Sequence, residues 1–423
     1  MVHNVELISV GTELLLGNIL NTDAQFLSQE LSKLGMNVYY QTVVGDNPER
    51  LRLAVEMAKR RADVIITTGG LGPTCDDLTK QTLAKTFGKE LVFHESSAQR
   101  IRDYFEKNLH SAAMPENNLQ QAMMPEGCMI LQNDWGTAPG CIFEAEGCHV
   151  IMLPGPPSEC RPMFEKRVAP YLRGLSQDTI RSHTLKIFGM GESAVEALLR
   201  DQMNALENPT LAPYAKTGEV ELRITAKAAD NASADALIAP VEAQVRALLG
   251  DMVYGVNVSS LEEVAFAALK RRGYTLSCAE SCTGGLIAKR LTDLPGSSAV
   301  LKGSAVTYCN QAKHELLGVS QELLDAKGAV SREVAIAMAE GARNIFASDL
   351  AVSTTGVAGP DSDERGNPVG LVYVALATPK GTTCRETNLG ATRERVRTAA
   401  AHHAFDLVRR YLEGLPLELK AIF

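Results

Sequence analysis

Ala279-Glu280-Ser281-Cys282-Thr283-Gly284-Gly285 separates two apolar patterns of different period. Before it, Tyr274-Thr275-Leu276-Ser277-Cys278 reads as a strand. After it, Leu286-Ile287-Ala288-Lys289-Arg290-Leu291 has the spacing of an amphipathic helix. Strand, glycine turn and helix in that order mark an α/β domain. A hydroxyl at such a turn sits beside free backbone N–H groups and the positive end of the helix dipole. That setting suits Ser281 as a nucleophile, with the same N–H groups holding an oxyanion near Gly284 and Gly285. Taken alone, the heptapeptide is also read as an N-cap with glycines that only allow close packing.

Around this turn the pattern predicts a domain over residues 260–423. A helix over 261–272 leads into the strand, and Val300 to Tyr308 reads as the next strand, with a helical turn at Lys313–Gly318 after it. A capped amphipathic helix follows from Ser331, then Leu350 to Pro360 reads as a buried strand running into a loop. A hairpin at 369–378 and 383–389 and a closing helix from Arg393 to Leu412 complete a mixed sheet flanked by helices. Ser281 needs a base. His402 and His403 fall within the closing helix and read as structural. Lys313 serves instead if the strands bring it beside Ser281, because a lysine in a partly dry site loses its proton more easily; read alone, it is also an ordinary solvated lysine. Tyr308 would relay the proton or hold the lysine. Cys282 is a rival nucleophile.

The chain opens with the same grammar. Val5–Val10, Val38–Val44 and Asp63–Thr68 read as strands alternating with helices near 21–34 and 48–61, which implies a parallel sheet over a domain at 1–171. The third strand ends in Gly69-Gly70-Leu71-Gly72-Pro73-Thr74, so Gly69, Gly70 and Gly72 can bring amides close to a phosphate. Asp76 and Asp77, just behind, can hold a divalent cation bridging phosphate oxygens. Glycines also make plain turns, and Asp-Asp also starts helices. Residues 172–255 read as a small α+β unit without a metal cluster or nucleophile, and 257–260 as a linker.

The totals exclude several classes. The 423 residues suit two or three domains, and no apolar run approaches a membrane span. Met1-Val2-His3-Asn4 leads straight into a strand without a basic segment, which predicts no signal peptide and a cytoplasmic protein. Forty-two basic against 50 acidic residues, a formal net charge of −8, argues against broad nucleic-acid binding. Nine scattered cysteines form no CxxC pair, so neither a disulfide framework nor a zinc site is expected.

Four stretches of the first domain resemble the N-terminal domain of CinA proteins: Gly11–Gly17 with Asn21-Thr22, Thr68–Thr74 with Asp76–Thr79, Gly136–Gly140, and Leu153–Glu159. That domain is similar to the molybdopterin-binding fold of MogA and MoeA. The resemblance implies an ADP-ribose pyrophosphatase dependent on a divalent metal (Mg, Mn or Co). Two positions depart from the pattern: Asp23 stands where Asn is usual, and Cys75 where His is common. The last domain resembles the C-terminal CinA domain throughout, through residues 279–285, 304–308 with Lys313, 329–331, and 355–360 with 368–370. This PncC type is a nicotinamide mononucleotide amidohydrolase needing no cofactor. The resemblance implies Ser281 as nucleophile, Lys313 as base, Tyr308 as their partner, Thr355 and Gly356 at the site wall, and Arg393 and Arg397 as candidates for the substrate phosphate. It also implies a homodimer through the middle segment. The family loop after Gly359-Pro360 is usually glycine-rich; here Asp361 to Gly366 carries four charges, which would alter affinity or selectivity. A non-catalytic competence or DNA-processing role is the rival reading.

Overall fold

The computed structural model describes residues 3–108, 114–175, 179–390 and 392–419. The start of the chain at Met1-Val2 therefore lies outside the described residues. Two compact units are present, the first formed by Met1–Arg181 with Ala226–Ala236, the second by Ser182–Thr225 with Leu237–Phe423.

In the first unit β1 (Asn4–Val10), β2 (Asn37–Val44) and β3 (Val64–Thr68) are parallel, with Val5 opposite Val38 and Val64. A small hairpin pairs β4 (Leu91–Phe93) with β5 (Met123–Pro125). The main sheet is completed by β6 (Met129–Leu131), β7 (Gly140–Ala145) and β8 (Cys148–Leu153), in the order β2-β1-β3-β8-β7-β6. The expected parallel run covers β2 to β8, while β7 and β6 continue it antiparallel. Glu146-Gly147, with both φ angles positive, makes the tight turn that reverses the chain between β7 and β8. Alternation along each strand feeds two cores. Val5, Leu7, Val64 and Ile66 pack against the helix Thr22–Lys33, whereas Ile8, Val10 and Ile65 pack against the helix Pro48–Ala58.

The middle sheet has the order β10-β11-β9-β12, from β9 (Thr179–Ile187), β10 (Thr210–Lys216), β11 (Glu219–Ala228) and β12 (Val253–Val256). The last sheet is β14-β13-β15-β16-β17, from β13 (Leu276–Glu280), β14 (Leu301–Val306), β15 (Leu350–Gly356), β16 (Leu371–Thr378) and β17 (Gly381–Asn388). β14, β13 and β15 are parallel, and β16 and β17 form the expected hairpin. From β13 the chain crosses first to β14 on one side and later to β15 on the other. The carboxyl end of β13 is therefore a switch point, where an open α/β sheet leaves a crevice. Alternate residues again serve two cores: Cys278 faces the closing helix Arg393–Glu413, and Ala279 faces the helix Arg332–Ile345. Among the described residues no helix is long and apolar enough to cross a membrane.

Candidate active site

Ser281 is the first residue beyond β13, and its N–H donates to the Thr354 carbonyl of β15 at 3.0 Å. On the other side the Thr307 N–H donates to the Glu280 carbonyl at 2.9 Å. These bonds extend the sheet by one step on both flanks and fix where the serine leaves it. The chain then turns sharply: Gly284 and Gly285 have φ of 58° and 89°, a region that side chains disfavour. The helix Leu286–Thr292 follows.

Lys313 lies on the helix Asn310–Leu317 and is only 1% exposed. Its Nζ donates to Ser281 Oγ at 3.2 Å and to the Thr307 carbonyl at 2.8 Å. Burial pulls the ammonium below its ordinary value of 10.5. The structure thus joins Ser281 and Lys313, residues 32 positions apart. Tyr308, next to Thr307, has a different partner: it is exposed, and its hydroxyl accepts from Arg393 Nη2 at 2.8 Å. No hydrogen bond links Tyr308 to Lys313 among the described residues, and the backbone carbonyl of Thr307 holds the lysine instead.

The neighbours divide into two groups. Arg393 also donates to the Gly359 carbonyl at 2.7 Å, tying the loop after β15 to Tyr308. Arg397 directs Nη2 and Nε to the Thr283 carbonyl at 2.7 and 3.3 Å. Thr355 and Gly356 are architectural: Thr355 Oγ1 donates to the Ala329 carbonyl at 2.6 Å, and a Cβ on Gly356 would lie 2.6 Å from the Leu371 carbonyl oxygen. Cys282 is 5% exposed and burial pushes its thiol up to about 11, so little thiolate is available at neutral pH.

Glu280, which the sequence reading left without a role, takes the helix N-terminus. Its buried carboxylate accepts from the N–H of Ile287 at 3.1 Å and of Ala288 at 2.9 Å. The positive end of this helix therefore faces Glu280 rather than a reacting oxyanion. The Gly284 N–H is also taken, by the Ser281 carbonyl at 3.0 Å. Among the described residues no backbone carbonyl accepts from the N–H groups of Cys282, Thr283 or Gly285, and the Cys282 N–H lies against its own thiol. The charged loop is partly absorbed as well. Arg365 donates to the Ala326 carbonyl at 3.2 Å and to the Asp325 carbonyl at 2.5 Å, and Asp363 accepts from the Asn367 N–H at 2.8 Å.

In the first unit a cleft of about 610 Å³ opens at the carboxyl ends of the parallel strands. That volume is in the range of small-molecule sites. Gly69, Gly70, Gly72, Asp76 and Asp77 all line it. Gly69 and Gly70 have positive φ, and a Cβ at Gly69 would lie 2.2 Å from the Val10 carbonyl oxygen. Asp77 Oδ2 accepts from Thr74 N–H at 2.8 Å and Thr74 Oγ1 at 2.6 Å, so it shapes the turn. Cys75 is exposed, with Sγ 3.6 Å from Asp76 Oδ1. Asp23 is buried, and desolvation raises its carboxyl despite Arg161 at 3.5 Å. Among the described residues no three His, Cys, Asp or Glu side chains converge on a point. A divalent cation at this turn would have Asp76 and Asp77 as its carboxylates, with Asp77 Oδ2 also bonded to Thr74.

Residues 258–412 match the CinA C-terminal domain, 6–174 a probable molybdopterin binding domain, and 182–255 the damage-inducible protein CinA KH domain. The chain is 49% identical to a CinA-like protein of Kosmotoga olearia, over 97% of this chain and 99% of the relative. The chain belongs to the CinA family. A second CinA-like protein, from Dictyoglomus thermophilum, is 47% identical over 97% of this chain and 99% of its own length. Among solved structures, the competence/damage inducible protein CihA of Agrobacterium tumefaciens is similar over 37% of this chain and 97% of its own, at 40% identity and a TM-score of 0.35. The family's domains carry both glycine turns, with Ser281 and Lys313 in the C-terminal one and Gly69–Gly72 in the molybdopterin-binding-like one.

Proposed function

We propose that the second unit is an amidohydrolase acting through Ser281 and Lys313, and that its substrate is nicotinamide mononucleotide. The observation that carries the reading is the 3.2 Å contact between Lys313 Nζ and Ser281 Oγ in a site dry enough to depress the lysine. Neutral Lys313 takes the Ser281 proton as Oγ attacks the carboxamide carbon, and the N–H groups of Cys282 and Thr283 stabilise the oxyanion. Lys313 then returns the proton to the leaving nitrogen, which departs as ammonia. Water attacks the acyl-serine with Lys313 again as base, releasing nicotinate mononucleotide and restoring Ser281. The chemistry requires an amide; the choice of this amide rests on the resemblance of the 279–285, 304–313 and 355–370 stretches. Ammonia release from nicotinamide mononucleotide tests it, and undiminished release by Ser281→Ala refutes the mechanism.

The cleft of the first unit favours a second activity on a nucleotide diphosphate, with ADP-ribose as the substrate and its diphosphate on the Gly69–Gly72 turn. A Cβ on Gly72 would lie 2.6 Å from Asp77 Oδ2 and push that carboxylate off Thr74. Gly72→Ala is therefore expected to abolish AMP release from ADP-ribose; unchanged release removes the cleft from the reaction, and chelation tests the need for a divalent cation. Against the nucleic-acid reading, residues 182–255 hold ten acidic against six basic side chains. They also lack the G-x-x-G loop with which KH modules clamp nucleotides.

A further inference from the structure

The Ser281 turn has a mechanical problem. It must hold Oγ near Lys313, yet it contains two adjacent glycines in the left-handed region, the most permissive backbone there is. Its internal backbone bonds are few: Gly284 N–H to the Ser281 carbonyl at 3.0 Å and a longer bond from Leu286 N–H to the Thr283 carbonyl at 3.3 Å.

Two charged side chains compensate. Glu280, at the start, reaches across the whole turn to the N–H groups of Ile287 and Ala288, so the residue before the turn is bonded to the helix after it. Ser304 Oγ, on β14, adds a third and longer donor at 3.4 Å. From the other side Arg397 grips the Thr283 carbonyl with two donors, and its Nη2 would lie 3.4 Å from a Cβ on Gly284. The peptide plane between Thr283 and Gly284 is then held at both ends, its oxygen by Arg397 and its N–H by the Ser281 carbonyl. Arg397 is itself carried by a helix whose Val396 and Ala400 are fully buried, so the grip is rigid. We propose that Glu280 and Arg397 are positioning residues that brace the Ser281 turn from its two sides, and that Arg397 acts through the Thr283 carbonyl rather than on a substrate phosphate. This rests on Ser281 being the nucleophile.

Kinetics separate a brace from a phosphate ligand. A brace supports the transition-state geometry, so its loss lowers kcat; a phosphate ligand contributes uniform binding, so its loss raises KM. For nicotinamide mononucleotide, Arg397→Ala and Glu280→Gln are expected to lower kcat about ten- to a hundredfold with KM within threefold. Arg397→Lys, which keeps one donor for the carbonyl, is expected to recover part of kcat. Nicotinamide riboside, lacking the phosphate, should suffer the same fold-loss with Arg397→Ala. A raised KM at unchanged kcat overturns the proposal. If wild-type protein releases no ammonia, the functional reading fails separately, and the brace is read from the rate at which a small fluorophosphonate labels Ser281. Slower labelling in both variants supports the brace; equal rates, or no labelling of any form, overturn it. Glu280→Gln and Arg397→Lys keep side-chain length, and their melting temperatures report whether the fold is kept.

Discussion

Replacing Lys313 by Met tests the proposed chemistry at its centre, because the two side chains have similar length and the change removes only the ammonium. A positioned general base is worth two to four decades in rate, so kcat should fall by that much, about 3–5 kcal/mol of barrier. The fold should not suffer in proportion. Met leaves the Thr307 carbonyl without its 2.8 Å donor, which costs ~1–3 kcal/mol, but it also removes a charge that is 1% exposed and has no carboxylate partner within ion-pair distance among the described residues, a burden of several kcal/mol. The sign with pH follows from linkage. Burial depresses Lys313 in the folded chain below 10.5, so the unfolded chain binds this proton more tightly. The resulting penalty is complete below the folded value and disappears as pH rises to the unfolded one. Lys313→Met should therefore be at least as stable as wild type near pH 7, with that advantage fading toward pH 10.5. Wild-type kcat/KM should rise with pH through the depressed titration of Lys313. Initial rates of ammonia release and urea titrations at several pH values measure both. A variant that keeps activity within tenfold, or whose stability advantage grows with pH, refutes the reasoning.

Cys282→Ala should leave kcat within a few-fold, because the thiol sits near 11 and is nearly fully buried; loss of activity by orders of magnitude in ammonia release would make Cys282 the nucleophile. Asp406→Asn should destabilise the second unit by ~3–5 kcal/mol in urea titration. It is fully buried and accepts from Arg385 at 3.1 Å, Arg409 at 2.7 Å and Arg410 at 2.9 Å. Burial alone would raise the Asp406 carboxyl, yet the three guanidinium groups hold it below its ordinary value. Its contribution is thus complete above the unfolded carboxylate pKa and lost as pH falls through the lower folded one, so the variant should lose the acid-dependent part of unfolding.

Strands and their carboxyl ends were legible because apolar runs such as Val64–Thr68 and Leu350–Gly356 are buried on both faces and end in glycine. The antiparallel β6–β8 edge is not legible, because Glu146-Gly147 takes positive φ at both residues without being one of the usual Asn-Gly, Asp-Gly or Gly-Gly hairpin pairs. From the residues alone Ser281 reads as nucleophile or N-cap and Lys313 as base or solvated lysine, and the resemblance chooses in both cases. A buried and a solvated lysine have the same letter, and only tertiary structure brings this one to Ser281. The group that holds Lys313 is the backbone carbonyl of Thr307, which no sequence pattern marks, whereas the resemblance implies the neighbouring Tyr308. Glu280 lay inside the quoted stretch, but its bonds run seven and eight residues forward, beyond the usual capping distance. Arg365 and Asp363, read as loop charges that alter affinity or selectivity, are bonded to local backbone.

The choice of lysine over histidine follows from the surroundings. His402 and His403 are pushed down to about 4 and 3, chiefly by burial, and His403 Nδ1 lies 3.0 Å from Arg385, whereas Lys313 is the side chain bonded to Ser281 Oγ. A lysine works when burial outweighs what stabilises its charge, here the Thr307 carbonyl. Glu280 adjoins Ser281 in sequence, yet its carboxylate is turned to the helix N–H groups and makes no ion pair among the described residues. The proposed substrate sharpens the same logic. Its pyridinium ring is cationic and carries the reacting carboxamide, so binding brings a positive charge close to Lys313. At ~6 Å and an effective dielectric of about 20 the repulsion is roughly 2–3 kcal/mol, which favours the neutral amine that catalysis needs. The phosphate acts in the opposite sense and must lie farther off. The pH profile of kcat should accordingly lie to the acid side of that of kcat/KM, and coincident profiles, or a shift toward alkaline pH, would place the pyridinium away from Lys313 and contradict the attack geometry.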